Sequence, residues 1–117
     1  MSLSVSVFVF DDTGEKVKVE LDKGKDLAGF ESSRYKLYGS KLAESLRLKL
    51  LPQLKSHDLW DVGGDQLNEL ESELKTIIEN VEAFSKESEF EQEYIKARVQ
   101  NILDAIQIAR EKTGVIW

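Results

Sequence analysis

The chain has no cysteine, and it has only one histidine, one proline and one methionine among its 117 residues. Without cysteine there is no disulfide, thiolate nucleophile or cysteine-ligated zinc. Any histidine-dependent catalytic triad would have to centre on His57, and no Gly-x-Ser-x-Gly or similar frame is present. The acidic segment around His57 also lacks the ligand spacing of a calcium loop. We therefore expect no enzyme activity, no metal site and no cofactor.

Long apolar runs are also missing from the sequence. No stretch approaches the roughly 20 apolar residues that a membrane-spanning helix needs. The first residues lack the basic, apolar and small-residue parts of a secretory signal. Together with the lack of cysteine, these absences lead us to expect a cytoplasmic protein without a membrane partner.

Charged residues are divided unevenly along a chain whose net charge is −6. Residues 16–55 carry ten Lys and Arg against five acids, whereas residues 65–93 carry ten acids against two lysines. One interpretation is that the two segments attract each other within the fold. The other is that the acidic segment faces a basic partner. The negative net charge argues against a nucleic-acid partner, even though Arg34–Tyr38 interleaves basic and aromatic side chains.

The N-terminal segment predicts a β-hairpin over about residues 3–21. Apolar and polar residues alternate along 3–10 and again along 16–21, which is typical of strands. The sequence Asp-Asp-Thr-Gly at 11–14 suits the intervening turn. A lone hairpin is marginal in water, so we expect it to pack on helices or to pair with a further strand near Trp60 or at Val115–Trp117.

Residues 26–55 form a mixed segment, followed by a loop at 56–64. Residues 27–38 fit either a helix that begins at Asp26 or an extended chain. Ser40 has the position of an N-cap for a helix over 41–51, which Pro52 would end.

The C-terminal half predicts a long antiparallel helical hairpin over about residues 66–112. Apolar residues at steps of three and four form one stripe over 66–85, behind a cap at Asp65, and a wider arc over 89–112. Ser88 and Glu91 have the spacing of a capping box for the second helix. The wide arc predicts that this last helix is central. The fold class that we predict is α+β, with residues 1–117 as one domain.

One polar cluster stands out on the last helix. Arg98 falls inside the apolar arc, with Tyr94 and Asn101 close by and Glu91 one heptad earlier. A charged group on a buried face needs a partner. The cluster predicts either a structural ion pair, through Glu91 or an acid of the neighbouring helix, or the border of a cleft that binds an anion.

Three functions are compatible with these patterns. The first is a small protein-binding module whose acidic helical face takes a basic partner through Glu69, Glu73 and Glu82, specifically an immunity-type inhibitor of a nuclease toxin. The second is a self-associating scaffold that uses the stripe of the first long helix as a dimer seam. The third is a small-ligand binder or enzyme that uses Tyr94 and Arg98. We rank them in this order because binding by surface complementarity requires no catalytic motif.

Overall fold

The computed structural model describes residues 2–21, 24–30, 32–59, 62–111 and 114–116. Its strands are β1 (Ser2–Ser4), β2 (Val7–Phe10), β3 (Lys16–Val19), β4 (Leu27–Phe30) and β5 (Val115–Ile116). Its α-helices are α1 (Lys41–Ser45), α2 (Asp65–Glu79), α3 (Val81–Ser88) and α4 (Gln92–Glu111). A π-turn (Arg34–Tyr38) and a 3₁₀-turn (Leu51–Lys55) connect them. This arrangement confirms the α+β fold class.

The N-terminal strands belong to two antiparallel sheets. β2 and β3 form the predicted hairpin, and the Asp11 carboxylate accepts hydrogen bonds from the backbone N–H groups of Thr13 and Glu15, which fixes the turn. The predicted strand over 3–10 is divided, because only residues 7–10 pair with β3 in the hairpin. β1 pairs instead with β4, and Val5 N–H donates to the carbonyl of Asp26 at 2.8 Å.

The end of the described chain returns to the sheet, which is one of the alternatives that the sequence leaves open for a further strand. β5 pairs with β2, so the sheet order is β3-β2-β5. Ile116 also exchanges two backbone hydrogen bonds with Val62, which ties the segment before α2 to the sheet. Trp60 and Trp117 lie outside the described residues. The hairpin therefore gains a further paired strand, β5, and its strand β2 also packs against α4.

The helix predicted over residues 66–85 is interrupted. Asn80 separates α2 from α3, and its side-chain amide donates to the carbonyl of Thr76 at 2.9 Å. Gly64, with a φ of 55°, is the N-cap of α2, so the prediction of a cap at Asp65 is wrong. Asp65 is instead the first residue of the helix, where a carboxylate still favours the positive end of the helix dipole.

The second helix begins later than predicted, and the predicted capping box is not formed. Ser88 is the last residue of α3, and its hydroxyl accepts a hydrogen bond from the N–H of Phe90 at 3.1 Å. Glu89 follows with a left-handed φ of 67°, which ends α3. The helical backbone of α4 therefore starts at Gln92.

The middle segment is less helical than predicted. β4 occupies residues 27–30 and the π-turn occupies residues 34–38. Ser40 is an N-cap, with its hydroxyl accepting from Ala43 N–H at 3.2 Å. The helix ends at Ser45 rather than residue 51, because Arg47 has a φ of 64° and the following backbone turns away. The backbone N–H groups of residues 49–51, which the longer helix would have used, donate instead to a carboxylate of α2.

α4 is the central element, as the wide apolar arc predicts. It contacts α2, α3 and the strands β2, β4 and β5. Its buried residues all face these neighbours: Ile95, Val99, Ile102, Ala105, Ile106 and Ala109. Among the described residues, no helix combines the length and apolar character required to cross a membrane.

An ion pair joins α2 to α4 and makes stability depend on pH. Arg110 donates to both carboxylate oxygens of Glu71, at 2.7 and 3.3 Å. This hydrogen bonding, with a smaller contribution from Lys75, lowers the pKa of Glu71 below its ordinary value of 4.5. A lowered pKa in the folded state stabilises the fold above that ordinary value, and the stabilisation is lost as the pH falls through the folded-state pKa.

We expect the free energy of unfolding to fall as the pH drops from about 6 to 3, and Arg110→Gln to make this fall shallower. Urea unfolding followed by circular dichroism at several pH values measures both curves. Lys18→Gln is the matched control, since it also removes one positive charge, from an exposed side chain of β3. Parallel curves for wild type and Arg110→Gln would contradict the assignment to Glu71.

Candidate functional site

The three predicted partner-binding acids do not form one surface. Glu69 and Glu82 are exposed on α2 and α3, and 76% of the Glu82 side chain is accessible. Glu73 is only 6% exposed. The prediction that Glu73 faces a partner is therefore wrong, because its carboxylate binds backbone N–H groups within the molecule.

Glu73 holds the backbone that follows α1. Its two carboxylate oxygens accept four hydrogen bonds of 2.9 to 3.1 Å from the N–H groups of Lys49, Leu50 and Leu51. A carboxylate that accepts several backbone N–H groups is a strong, charge-assisted acceptor. The sequence does contain a signal for this role, since Glu73 follows Leu70 by three residues and precedes Ile77 by four, which places it on the apolar stripe.

Six of the remaining acids of residues 65–93 lie between the last residue of α2 and the first turn of α4. We call this set of side chains the acidic end, and every one of them is exposed: Glu79, Glu82, Glu87, Glu89, Glu91 and Glu93. Lys86 and Lys96 approach Glu82 and Glu93 at 3.9 and 3.8 Å, a spacing typical of weak surface pairs. Residues 79–93 therefore carry a high density of exposed negative charge with only weak ion pairs beside it.

The described ion pairs of the basic segment do not involve the acidic segment. Lys25 pairs with Asp104, Lys55 with Glu44, and Arg34 with Asp58. Among the described residues, no ion pair joins residues 16–55 to residues 65–93. The interpretation that the two segments attract each other through paired side chains thus has no support in the described contacts.

The predicted polar cluster on α4 is only partly assembled. The Arg98 guanidinium lies 5.1 Å from the ring centroid of Tyr94, within cation–π range. Asn101 instead donates to the carbonyls of Gly24 and Leu27, at 3.1 and 2.8 Å, and so ties the start of β4 to α4. Glu91 is exposed in the α3–α4 turn, and no ion pair with Arg98 occurs within the part of the chain that the structure describes.

Tyr38, beneath this cluster, is a buried structural residue. Its hydroxyl donates to the carbonyl of Ala28 at 2.7 Å. Burial raises the pKa of Tyr38 well above its ordinary value of 10, Tyr94 raises it further, and Arg98 opposes the shift. Tyr35, by contrast, is 59% exposed. The interleaved basic and aromatic residues of the π-turn therefore do not share a face.

A pocket of about 300 Å³ opens between β1, β4 and the two short helical turns. Arg34 and Asp58 form an ion pair in its wall, and Arg34 Nη1 also donates to the carbonyl of Leu54 at 2.9 Å. Most of the lining is apolar, provided by Leu3, Val5, Ala28, Tyr38, Leu51, Leu54, Leu59, Leu70, Ile102 and Ile116. Neither Tyr94 nor Arg98 lines this pocket. Sequence reasoning missed it because no motif links residues of β1 to the 3₁₀-turn.

His57 is exposed, and its Nδ1 lies 2.8 Å from the carbonyl of Asp58. In the described ranges, no three His, Asp or Glu side chains are arranged to hold a metal ion. Comparisons with protein-family models, with curated proteins and with solved structures found no match to this chain.

Proposed function

We propose that this chain is a protein-binding module whose acidic end takes a basic protein partner. The observation that supports the proposal is that the acids of residues 65–93 differ in their contacts. Glu71 and Glu73 are engaged inside the fold, whereas the six carboxylates of the acidic end are exposed with only weak pairs.

Concentrated charge of one sign suits recognition of an oppositely charged surface. Such a surface raises the association rate and disfavours partners of the same sign, and its effect weakens with salt. The specific form that we propose is a cytoplasmic, immunity-type inhibitor of a nuclease toxin. A nuclease needs a basic cleft to hold nucleic acid, so an acidic protein surface can occupy the same cleft.

The burial of α2 argues against the alternative of a scaffold that self-associates through the stripe of this helix. The apolar stripe of α2 is buried within the single chain, where Leu67, Leu70, Leu74 and Ile77 are all less than 5% exposed. A face that already packs in the core is unavailable for pairing with a second copy. The described surface therefore favours capture of a different protein over self-association through α2.

The test is a pair of triple charge reversals with the same net charge. Glu82→Lys, Glu91→Lys and Glu93→Lys alter the acidic end, and the control carries Glu15→Lys, Glu20→Lys and Glu111→Lys, all exposed elsewhere. Each bait is incubated with lysate of the native host at low and high salt, and retained proteins are identified by mass spectrometry. We expect wild type and control to retain a basic protein that salt releases, and the acidic-end variant to bind it at least about tenfold more weakly.

The retained protein is then purified and assayed for nuclease activity with and without each bait. Inhibition by wild type and control, but not by the acidic-end variant, supports the immunity-type role. Equal loss of capture by both triple variants would show that net charge alone matters, and unchanged capture by the acidic-end variant would remove this surface from the interface. Failure to retain any basic protein would overturn the proposal.

A further inference from the structure

We infer that the pocket beside Arg34 binds a small apolar carboxylate of about ten non-hydrogen atoms. The pocket shares no lining residue with the acidic end, and the inference does not depend on the proposed function. It is derived from the size of the pocket, the chemistry of its lining and the arrangement of the Arg34–Asp58 ion pair.

The dimensions and lining of the pocket fit a ligand with a short apolar body. A volume of about 300 Å³ lies at the lower end of the range for small-molecule sites. At roughly 30 Å³ for each water-sized group, it accommodates about ten of them. Leu3, Val5 and Leu51 contribute buried apolar surface, and Arg34 and Asp58 add a small number of charged groups, which is the usual composition of a ligand pocket.

Arg34 gives the pocket its preference for an anion. Its side chain is 17% exposed and is anchored by the Leu54 carbonyl, so the guanidinium is held in the wall rather than extended into solvent. A guanidinium has only donors and matches the two oxygens of a carboxylate. The apolar lining excludes water from that interaction and thereby strengthens it.

Asp58 occupies the position that a ligand carboxylate would take. Its side chain is 50% exposed, three times as much as that of Arg34, and it lies in the loop after the 3₁₀-turn. Of the two partners, Asp58 is therefore the one that can move into solvent at low cost. Binding then exchanges one carboxylate for another at Arg34, and this partly buried cation stays paired throughout.

Octanoate, which has ten non-hydrogen atoms, is the probe that tests this exchange. It is titrated into the ¹⁵N-labelled full chain and followed by NMR and calorimetry, with octanol and octylamine as matched ligands that lack the carboxylate. We expect saturable shifts of the amides of residues 3–6, 28 and 54–59, and binding at least about tenfold weaker for octanol and octylamine. Equal binding of octanoate and octanol, or binding of octylamine alone, would overturn the inference.

Two substitutions in the ion pair have opposite expected effects. Arg34→Gln should weaken octanoate binding at least about tenfold, because it removes the cation. Asp58→Asn should strengthen it several-fold, because it removes the competing carboxylate. If Arg34→Gln does not fold, Asp58→Asn and the ligand comparison still decide the matter. No binding to either wild type or Asp58→Asn, or weaker binding to Asp58→Asn, would contradict the proposed exchange.

Discussion

Replacing Glu73 with alanine is expected to lower the free energy of unfolding by about 3 to 5 kcal/mol. The substitution leaves the N–H groups of Lys49, Leu50 and Leu51 without their acceptor in a region that is partly or fully buried. Each unsatisfied buried donor costs about 1 to 3 kcal/mol, and the deleted side chain leaves a void. This loss is a large part of the stability of a domain of this size.

Glu69→Ala is the matched control, since Glu69 is exposed one turn earlier on the same helix. It should change the free energy of unfolding by less than about 0.5 kcal/mol. Glu73→Gln should also destabilise the fold. Its side-chain amide keeps one accepting oxygen, but its NH2 group is a donor and faces backbone N–H groups that are donors too. Urea unfolding gives the three values, and hydrogen exchange should accelerate at amides 49–51 in both Glu73 variants. A Glu73→Ala variant as stable as Glu69→Ala would contradict the role of this carboxylate.

Phe84→Ala is expected to destabilise the fold by about 3 to 5 kcal/mol. Phe84 is fully buried on α3, the short helix that contacts α4 and the π-turn. Alanine is the better helix former, so the expected loss comes from the cavity and not from the helix itself. Because α3 carries Glu82 and Glu87, we also expect this variant to bind a basic partner more weakly.

Phe84→Leu is the corresponding control, because it keeps much of the buried volume and should cost no more than about 1.5 kcal/mol. Both variants are compared with wild type by thermal and urea unfolding. Ala83→Ser, on the exposed face of the same helix, reports the effect of altering α3 without touching the core. A Phe84→Ala variant that unfolds with wild-type stability would show that α3 is not anchored through this ring.

Much of this fold is predictable from local pattern. The steps of three and four from Leu67 to Ile77 predict the buried face of α2, and the wide arc from Ile95 to Ala109 predicts that α4 is central. The alternation around Val7 and Val17 predicts paired strands, and the apolar residues after Gly114 predict the return of β5. These features are predictable because burial of an apolar stripe depends mainly on spacing within one element.

Features that depend on contacts between distant segments are not predictable in this way. The backbone that follows α1 is held by Glu73, and the pocket depends on Arg34 meeting Asp58, which is 24 residues away. The break at Asn80 interrupts a continuous apolar pattern, so spacing alone extends the helix through it. Charge counts predict an acidic segment over residues 65–93, but which of its acids are exposed depends on how the helices pack.

The place of β2 between β3 and β5 has a consequence for the timing of assembly. Val7 and Phe8 pair with residues more than 100 positions later in the chain. At about 5 to 20 residues per second, a ribosome releases those partners roughly 5 to 20 s after it has made β2. β3 can cover one edge of β2 at once, and its Lys16 and Lys18 discourage further pairing there. The other edge stays open until translation reaches β5, so the nascent chain is most exposed to aggregation, and most in need of a chaperone, during that interval.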